Sequence, residues 1–201
     1  MKGLGIAVVL AAALAAAPAT AAVYVFSAKL TGAAEAPPNA SPASGLARVT
    51  FDDGLHTMTV DVNFADLIGN VTVAHIHAAT PTPFSGLAGP ATQTPTFAGF
   101  PSGVKNGSYL QTFDMSLASS YRAAYLAGFG GSTAAAEAAL ITAAKGGQAY
   151  FNVHTTQFPG GEIRGFLTSV PEPATWGLML LGFGTAGVML RSRRRAINLV
   201  H

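Results

Sequence analysis

SGLARVTFDDGLHTMTVDVNF, residues 44–64, holds two alternating runs on either side of a turn. In the first run Ala47, Val49 and Phe51 share one face. In the second, Met58, Val60, Val62 and Phe64 share a face, while Asp61 and Asn63 take the other. Successive strand residues point to opposite faces, so this period of two reads as two strands with one buried side each. Asp52-Asp53-Gly54 lies between them as a hairpin signal, with Gly54 placed to supply the positive φ of a tight turn. The stretch predicts an antiparallel pair.

Four more stretches extend that expectation to at least six strands: VYVFSAKL (23–30), VTVAHIHA (71–78), QAYFNVHT (148–155) and EIRGFLT (162–168). Pro and Gly crowd the connections, above all residues 79–107, and a loop of that length is usually either functional or covered by something. One segment is helical. Ser132 is placed to cap STAAAEAALITAAKGG, Glu137 falls early in it, Lys145 ends it, and Gly146 offers the left-handed stop. A shorter helix is expected within SSYRAAYLAG (119–128). Many strands with two inserted helices argue for an antiparallel sandwich or barrel, not alternating βα units.

The 201 residues leave room for one ordinary domain plus accessory segments. Only 10% are charged and half are hydrophobic, which excludes a disordered chain. The net charge of +2 comes from Arg191, Arg193, Arg194 and Arg195 near the C-terminus. Between Val23 and Ser169 six basic side chains face eight acidic ones, so the middle lacks the basic face of a nucleic-acid binder. There is no cysteine, which excludes disulfides, zinc–thiolate sites and thiol catalysis.

The two ends read as addresses. Residues 1–22 combine Lys2, an apolar run and Ala19-Thr20-Ala21, the layout of a secretory signal peptide with a small-x-small cleavage pattern. Residues 174–190, ATWGLMLLGFGTAGVML, carry no charge, and seventeen residues at ~1.5 Å each just cross a bilayer core. Trp176 sits at one end of this transmembrane segment and the arginines follow at the other, as the positive-inside rule asks of a cytoplasmic flank. Pro171-Glu172-Pro173 stands just before it. Pro-Glu-Pro, a short apolar helix and an Arg run, together about residues 170–195, resemble the PEP-CTERM sorting signal of Gram-negative bacteria. The resemblance implies an inner-membrane precursor, cleavage near the motif by an exosortase-type enzyme, and release to the cell surface or an extracellular matrix. Residues 196–201 form a trailing tail.

The body, 23–169, resembles a second family. HIHAATPTPFSGLAGPATQTPTF, SYRAAYLAGFGG and AEAALITAAKGGQAYFNVHTTQFPGGEIRGFL are similar to the CHRD domain, first described in chordin. Its most specific pieces here are His75-Ile76-His77 and the block from Asn152 through Pro159-Gly160-Gly161-Glu162 to Gly165. The resemblance implies an extracellular β-sandwich module.

Within it, Ala149, Phe151 and Val153 share the expected core face, and Asn152 and His154 point the other way. Ala74 and Ile76 are likewise expected inside, His75 and His77 outside. If the two strands are neighbours, His75, His77 and His154 converge on one outer face. Three imidazoles suit copper or zinc and leave an open position. The alternative reading is a hydrogen-bonded polar cluster that orders loops. A His-x-His strand with a later Val-His strand is also similar to the copper half of copper–zinc superoxide dismutase, though this chain has no evident bridging histidine, zinc-site aspartate or cysteine pair. His56 becomes a fourth ligand only if its turn folds back, and His201 lies outside the domain.

Glu162 and Arg164 read as an exposed structural pair on one strand face. Asp52 and Asp53 read as turn formers, since the oxygen spacing of a calcium loop is missing. Tyr109, Tyr121, Tyr125 and Phe129 read as core packing around the helices. No G-x-S-x-G elbow supports serine catalysis, and no catalytic residue is assigned. The expected fold is mainly β: an antiparallel Greek-key sandwich or barrel, immunoglobulin-like or superoxide-dismutase-like, with one or two short inserted helices. The expected function is an exported, non-enzymatic binding or structural module at the cell surface or in the matrix, with extracellular polysaccharide or surface proteins as partner classes. The alternative is a histidine-liganded copper or zinc protein.

Overall fold

The computed structural model describes residues 22–171. The expected signal peptide (apart from Ala22), Glu172 and Pro173, the span 174–190, the arginine cluster and the tail lie outside those residues. Among the described residues no helix is long and apolar enough to cross a membrane.

The hairpin of residues 44–64 forms as its alternation predicts. β2 (Ser44–Asp52) pairs antiparallel with β3 (Thr57–Ala65), with Val49 opposite Val60 and Phe51 opposite Met58. All seven apolar residues of the two inward faces are buried. Each large side chain so removed from water contributes about 1.5–3 kcal/mol before entropy is charged. The turn is built differently from the expectation. Asp52 Oδ1 accepts hydrogen bonds from the amides of Gly54 and Leu55 at 3.0 and 2.9 Å. His56, not Gly54, takes the left-handed conformation, with φ of 53°. A side-chain acceptor that organises the turn removes the need for a glycine at its centre.

β1 (Val23–Thr31) lies on the other side of β2. β4 (Val71–His77), β5 (Gly107–Asp114), β6 (Tyr150–Thr155), β7 (Ile163–Phe166) and β8 (Thr168–Ser169) complete one antiparallel sheet. Its order is β4-β6-β7-β1-β2-β3-β5, with β8 also paired to β1, and it curls into a half-barrel. After β3 the chain crosses to the far end of the sheet to lay β4 beside β6, then returns to set β5 beside β3. β5 is a strand beyond the six read from the sequence. Two α-helices, α1 (Ala123–Ala127) and α2 (Thr133–Lys145), follow it. Ser132 caps α2 as expected, its hydroxyl accepting from the Ala135 amide at 3.2 Å. The left-handed residue comes one position later than expected, at Gly147 (φ 67°). Glu137 does not serve the first turn of α2. It is buried, and accepts a hydrogen bond from His56 Nδ1 at 2.8 Å.

The core holds Phe26, Phe51, Met58, Ile76, Phe97, Phe151 and Leu140, so strands, the long connection and α2 all contribute to it. Tyr109 and Tyr121 are buried in it and Tyr125 and Phe129 pack against it, as read.

Residues 78–106, the connection from β4 to β5, decide the environment of the histidines. They run along the outer edge of β4. Ala91 N and Phe97 N donate to the carbonyls of Ile76 and Ala74, while the hydroxyls of Thr92 and Thr96 accept from the amides of those same residues. Val71 is bonded in both directions, to Val104 O and from Gly103 N. An edge strand with unpaired amides is a template for unwanted pairing, and this segment satisfies them. The loop is pinned at its far side by Thr80 N and Phe84 N donating to the carbonyls of Gln148 and Gly147.

Candidate functional site

β4 and β6 are direct neighbours. His75 lies opposite Asn152, His77 opposite Tyr150, and Val73 opposite His154. Parity then brings three imidazoles together on the face away from the core, since Ala74, Ile76, Phe151 and Val153 all point inward and are fully buried. Ring centroids are 5.5 Å apart for His75 and His77, 5.4 Å for His75 and His154, and 5.9 Å for His77 and His154. That outer face is not solvent. The loop after β4 covers it, leaving His75 and His77 only 6% and 7% exposed, and His154 is half-buried.

Each ring is oriented through one nitrogen. His75 Nε2 donates to Pro95 O at 2.6 Å, His77 Nδ1 to Ala88 O at 2.8 Å, and His154 Nδ1 to Pro159 O at 2.8 Å. A carbonyl only accepts, so each of these nitrogens carries the proton and the tautomer of every ring is set. The other three nitrogens, His75 Nδ1, His77 Nε2 and His154 Nε2, are buried without a partner. One ring nitrogen of each histidine lies within 4.8 Å of the other two. Burial lowers the pKa of all three rings, that of His77 to about 4. The rings are therefore neutral at neutral pH, the form that ligates a metal. Three ligating nitrogens around a tetrahedral zinc at ~2.0–2.1 Å sit roughly 3.3 Å apart, so a small closing rotation of the side chains completes the set. A backbone acceptor on the second nitrogen is the usual outer-shell partner of a metal-bound histidine.

The same roofed face carries a second polar group that the sequence reading placed in solvent. Glu162 and Arg164 are fully buried and do not pair with each other. Glu162 accepts from Ser41 Oγ, the amides of Ile68 and Gly69, and Thr155 Oγ1, at 2.6 to 3.1 Å. Burial pushes its pKa up, but those four donors outweigh it and the net shift is downward. Arg164 donates to the carbonyls of Ala34 and Gly86, lies 3.8 Å from Glu35, and sits over the Tyr150 ring. The Tyr150 ring in turn stacks on His77, with centroids 4.7 Å apart.

Glu35 and Asn152 complete this group. Both carboxylate oxygens of Glu35 accept from Asn152 Nδ2, at 3.2 and 3.3 Å. Burial raises Glu35 to about pKa 7, against the opposing pull of Arg164. Gly161, at φ 128°, is required here because a Cβ would come within 2.6–2.8 Å of the Asn152 and Glu35 side chains. Nothing in the sequence singled out Glu35, an isolated acid before two prolines. Its role depends on a loop closing over β6. His56 stays with Glu137 and does not reach the triad, and His201 lies outside the described residues.

Comparison with known families agrees with this geometry in extent. The family model of the CHRD domain matches residues 26–167. The PEP-CTERM protein-sorting motif matches residues 169–195. No curated protein and no solved structure matches. The second match marks an exported chain, processed by an exosortase and sorted to the cell surface in Gram-negative bacteria.

Proposed function

The chain belongs to the CHRD domain family, and from that premise we propose that it is an exported binding module whose ligand is a single copper or zinc ion, held by His75, His77 and His154. One observation carries the reading: three buried imidazole nitrogens without partners come together while their ring mates are each fixed by a backbone carbonyl. A cluster kept only to order loops would use its second nitrogens for hydrogen bonds as well, because a buried polar atom left unpaired costs about 1–3 kcal/mol. An ion offsets three such costs at once. Imidazole donors suit copper and zinc, and three of them leave a fourth position for a water or a small anion.

Delivery is the second half of the proposal. The span 174–190 holds the precursor in the inner membrane with the arginine cluster on the cytoplasmic side, and an exosortase cuts near Pro171-Glu172-Pro173. The released CHRD domain then acts in the surface layer or matrix.

The test is the metal content of the exported protein, purified without chelators and dialysed. About one equivalent of copper or zinc per chain is expected. A protein free of both metals, and still free after dialysis against each salt, would overturn the reading.

A further inference from the structure

The first described residue, Ala22, meets the Asp52–Leu55 turn rather than trailing into solvent. Its backbone nitrogen is 2.6 Å from Asp53 Oδ1, and its carbonyl accepts from the Asp53 amide at 3.2 Å. The Tyr24 hydroxyl donates to the other oxygen, Asp53 Oδ2, at 3.2 Å. Both carboxylate oxygens are therefore engaged at the point where the β1–β2 ladder, Val23 opposite Asp52, begins. Ala22 also follows directly on Ala19-Thr20-Ala21, the small-x-small pattern that signal peptidases cut after. The nitrogen that Asp53 holds is the atom that cleavage would expose.

We propose that the signal peptide is removed by hydrolysis of the Ala21–Ala22 bond, so that it ends one residue before the 1–22 boundary read from the sequence, and that Asp53 is the receptor for the new N-terminus. In that step the exporting cell's signal peptidase and water break the Ala21 C–N bond. Ala21 leaves as a carboxylate that takes the water oxygen, and Ala22 nitrogen keeps its one amide proton, gains the two protons of the water and becomes an α-ammonium. In the precursor this nitrogen is a neutral amide. In the mature chain the same short contact is an ion pair, so maturation converts an ordinary hydrogen bond into a charge-assisted one. The proposal stands apart from the metal site, which lies on the β4–β6 face.

The other charged or titratable groups nearby are Tyr24, Asp52, Lys145, His56 and Glu137. Lys145 Nζ stands 3.5 Å from the centre of the Tyr24 ring, and His56 and Glu137 share a shallow cleft with Tyr24 and Asp53. Lys145 and protonated His56 oppose an ammonium, whereas Asp52 and Glu137 favour it. The direct Asp53 contact is the closest of these influences and sets the sign. The α-amine pKa should rise above its usual ~7.7–8.0, because an adjacent carboxylate favours the charged form.

The mature protein, purified from an exporting host, tests both parts. N-terminal sequencing should read Ala22-Val23-Tyr24. An NMR titration of the α-amine should give a pKa at least about half a unit above 8, and Asp53→Asn should return it to the ordinary range. Tyr24→Phe, which keeps Asp53, should leave most of the rise in place. A different first residue would overturn the cleavage assignment. A correct first residue with an ordinary α-amine pKa, unmoved by Asp53→Asn, would overturn the receptor.

Discussion

Strands β3 and β6 belong to one sheet and live in different surroundings. In β3 every second residue is buried, and Asp61 and Asn63, between them, stay exposed. In β6 Phe151 and Val153 face the core, while Tyr150 and Asn152 are equally buried on the opposite side, under loops. A polar residue on β3 costs nothing, because water solvates it. One on β6 must find a partner, and most do: Asn152 reaches Glu35, Tyr150 Oη reaches Ala88 O, and His154 reaches Pro159 O. Among the described residues, the buried side-chain atoms left unsatisfied on the roofed face are three imidazole nitrogens and Asn152 Oδ1. The open side of the sheet is there for the fold. The roofed side keeps polar chemistry at a desolvation cost, and that is where ligand chemistry belongs.

The contrast breaks first at Glu162. Glu162→Ala leaves the buried Gly69 amide and Thr155 hydroxyl without their acceptor and frees Ser41 Oγ and the Ile68 amide at the rim. At about 1–3 kcal/mol for each buried group, the change should cost about 3–5 kcal/mol in urea unfolding, or prevent folding. Acid should act next. In the metal-free protein His77 stays neutral down to about pH 4, whereas in the unfolded chain it protonates below ~6.5. Stability is therefore full above the unfolded value and falls as pH drops toward 4, by about 3 kcal/mol from this ring. His75 and His154 add to the loss in the same direction. Denaturation midpoints measured from pH 7 to 4 check this, and His77→Gln should flatten the profile. Thr92→Val removes the hydroxyl that accepts from Ile76 N and should cost about 1–3 kcal/mol, measured the same way. Asn63→Thr on the open face should stay within about 0.5 kcal/mol of the parent.

What the sequence revealed follows the same division. On β2 and β3 one face is solvated, so polarity alternates cleanly and the inward set is read without error. On β4 and β6 the core set, Ala74, Ile76, Phe151 and Val153, was legible, and so was the shared parity of the three histidines. Their burial was not, because it depends on residues 78–106 folding back over them through contacts remote in sequence. Glu162 and Arg164 were misplaced for the same reason: two charges at alternate positions look like a solvated face until a loop is known to cover them. β5 escaped because its inward residues, Tyr109 and Phe113, flank the exposed Gln111 and supply too weak an alternation. The left-handed positions at His56 and Gly147 were missed by one or two residues, since Asp52 organises one turn and α2 closes a residue before its reversal.

The central claim is that the three partnerless imidazole nitrogens are the ligands of one metal ion. Calorimetric titration of the metal-free protein with Zn(II) and with Cu(II) tests it most directly, beside the His75→Ala/His77→Ala/His154→Ala variant and a His56→Ala control. The account predicts one equivalent bound by the parent and by the control, with that binding lost in the triple variant while its cooperative unfolding persists. Equal heats for the parent and a folded triple variant would contradict it.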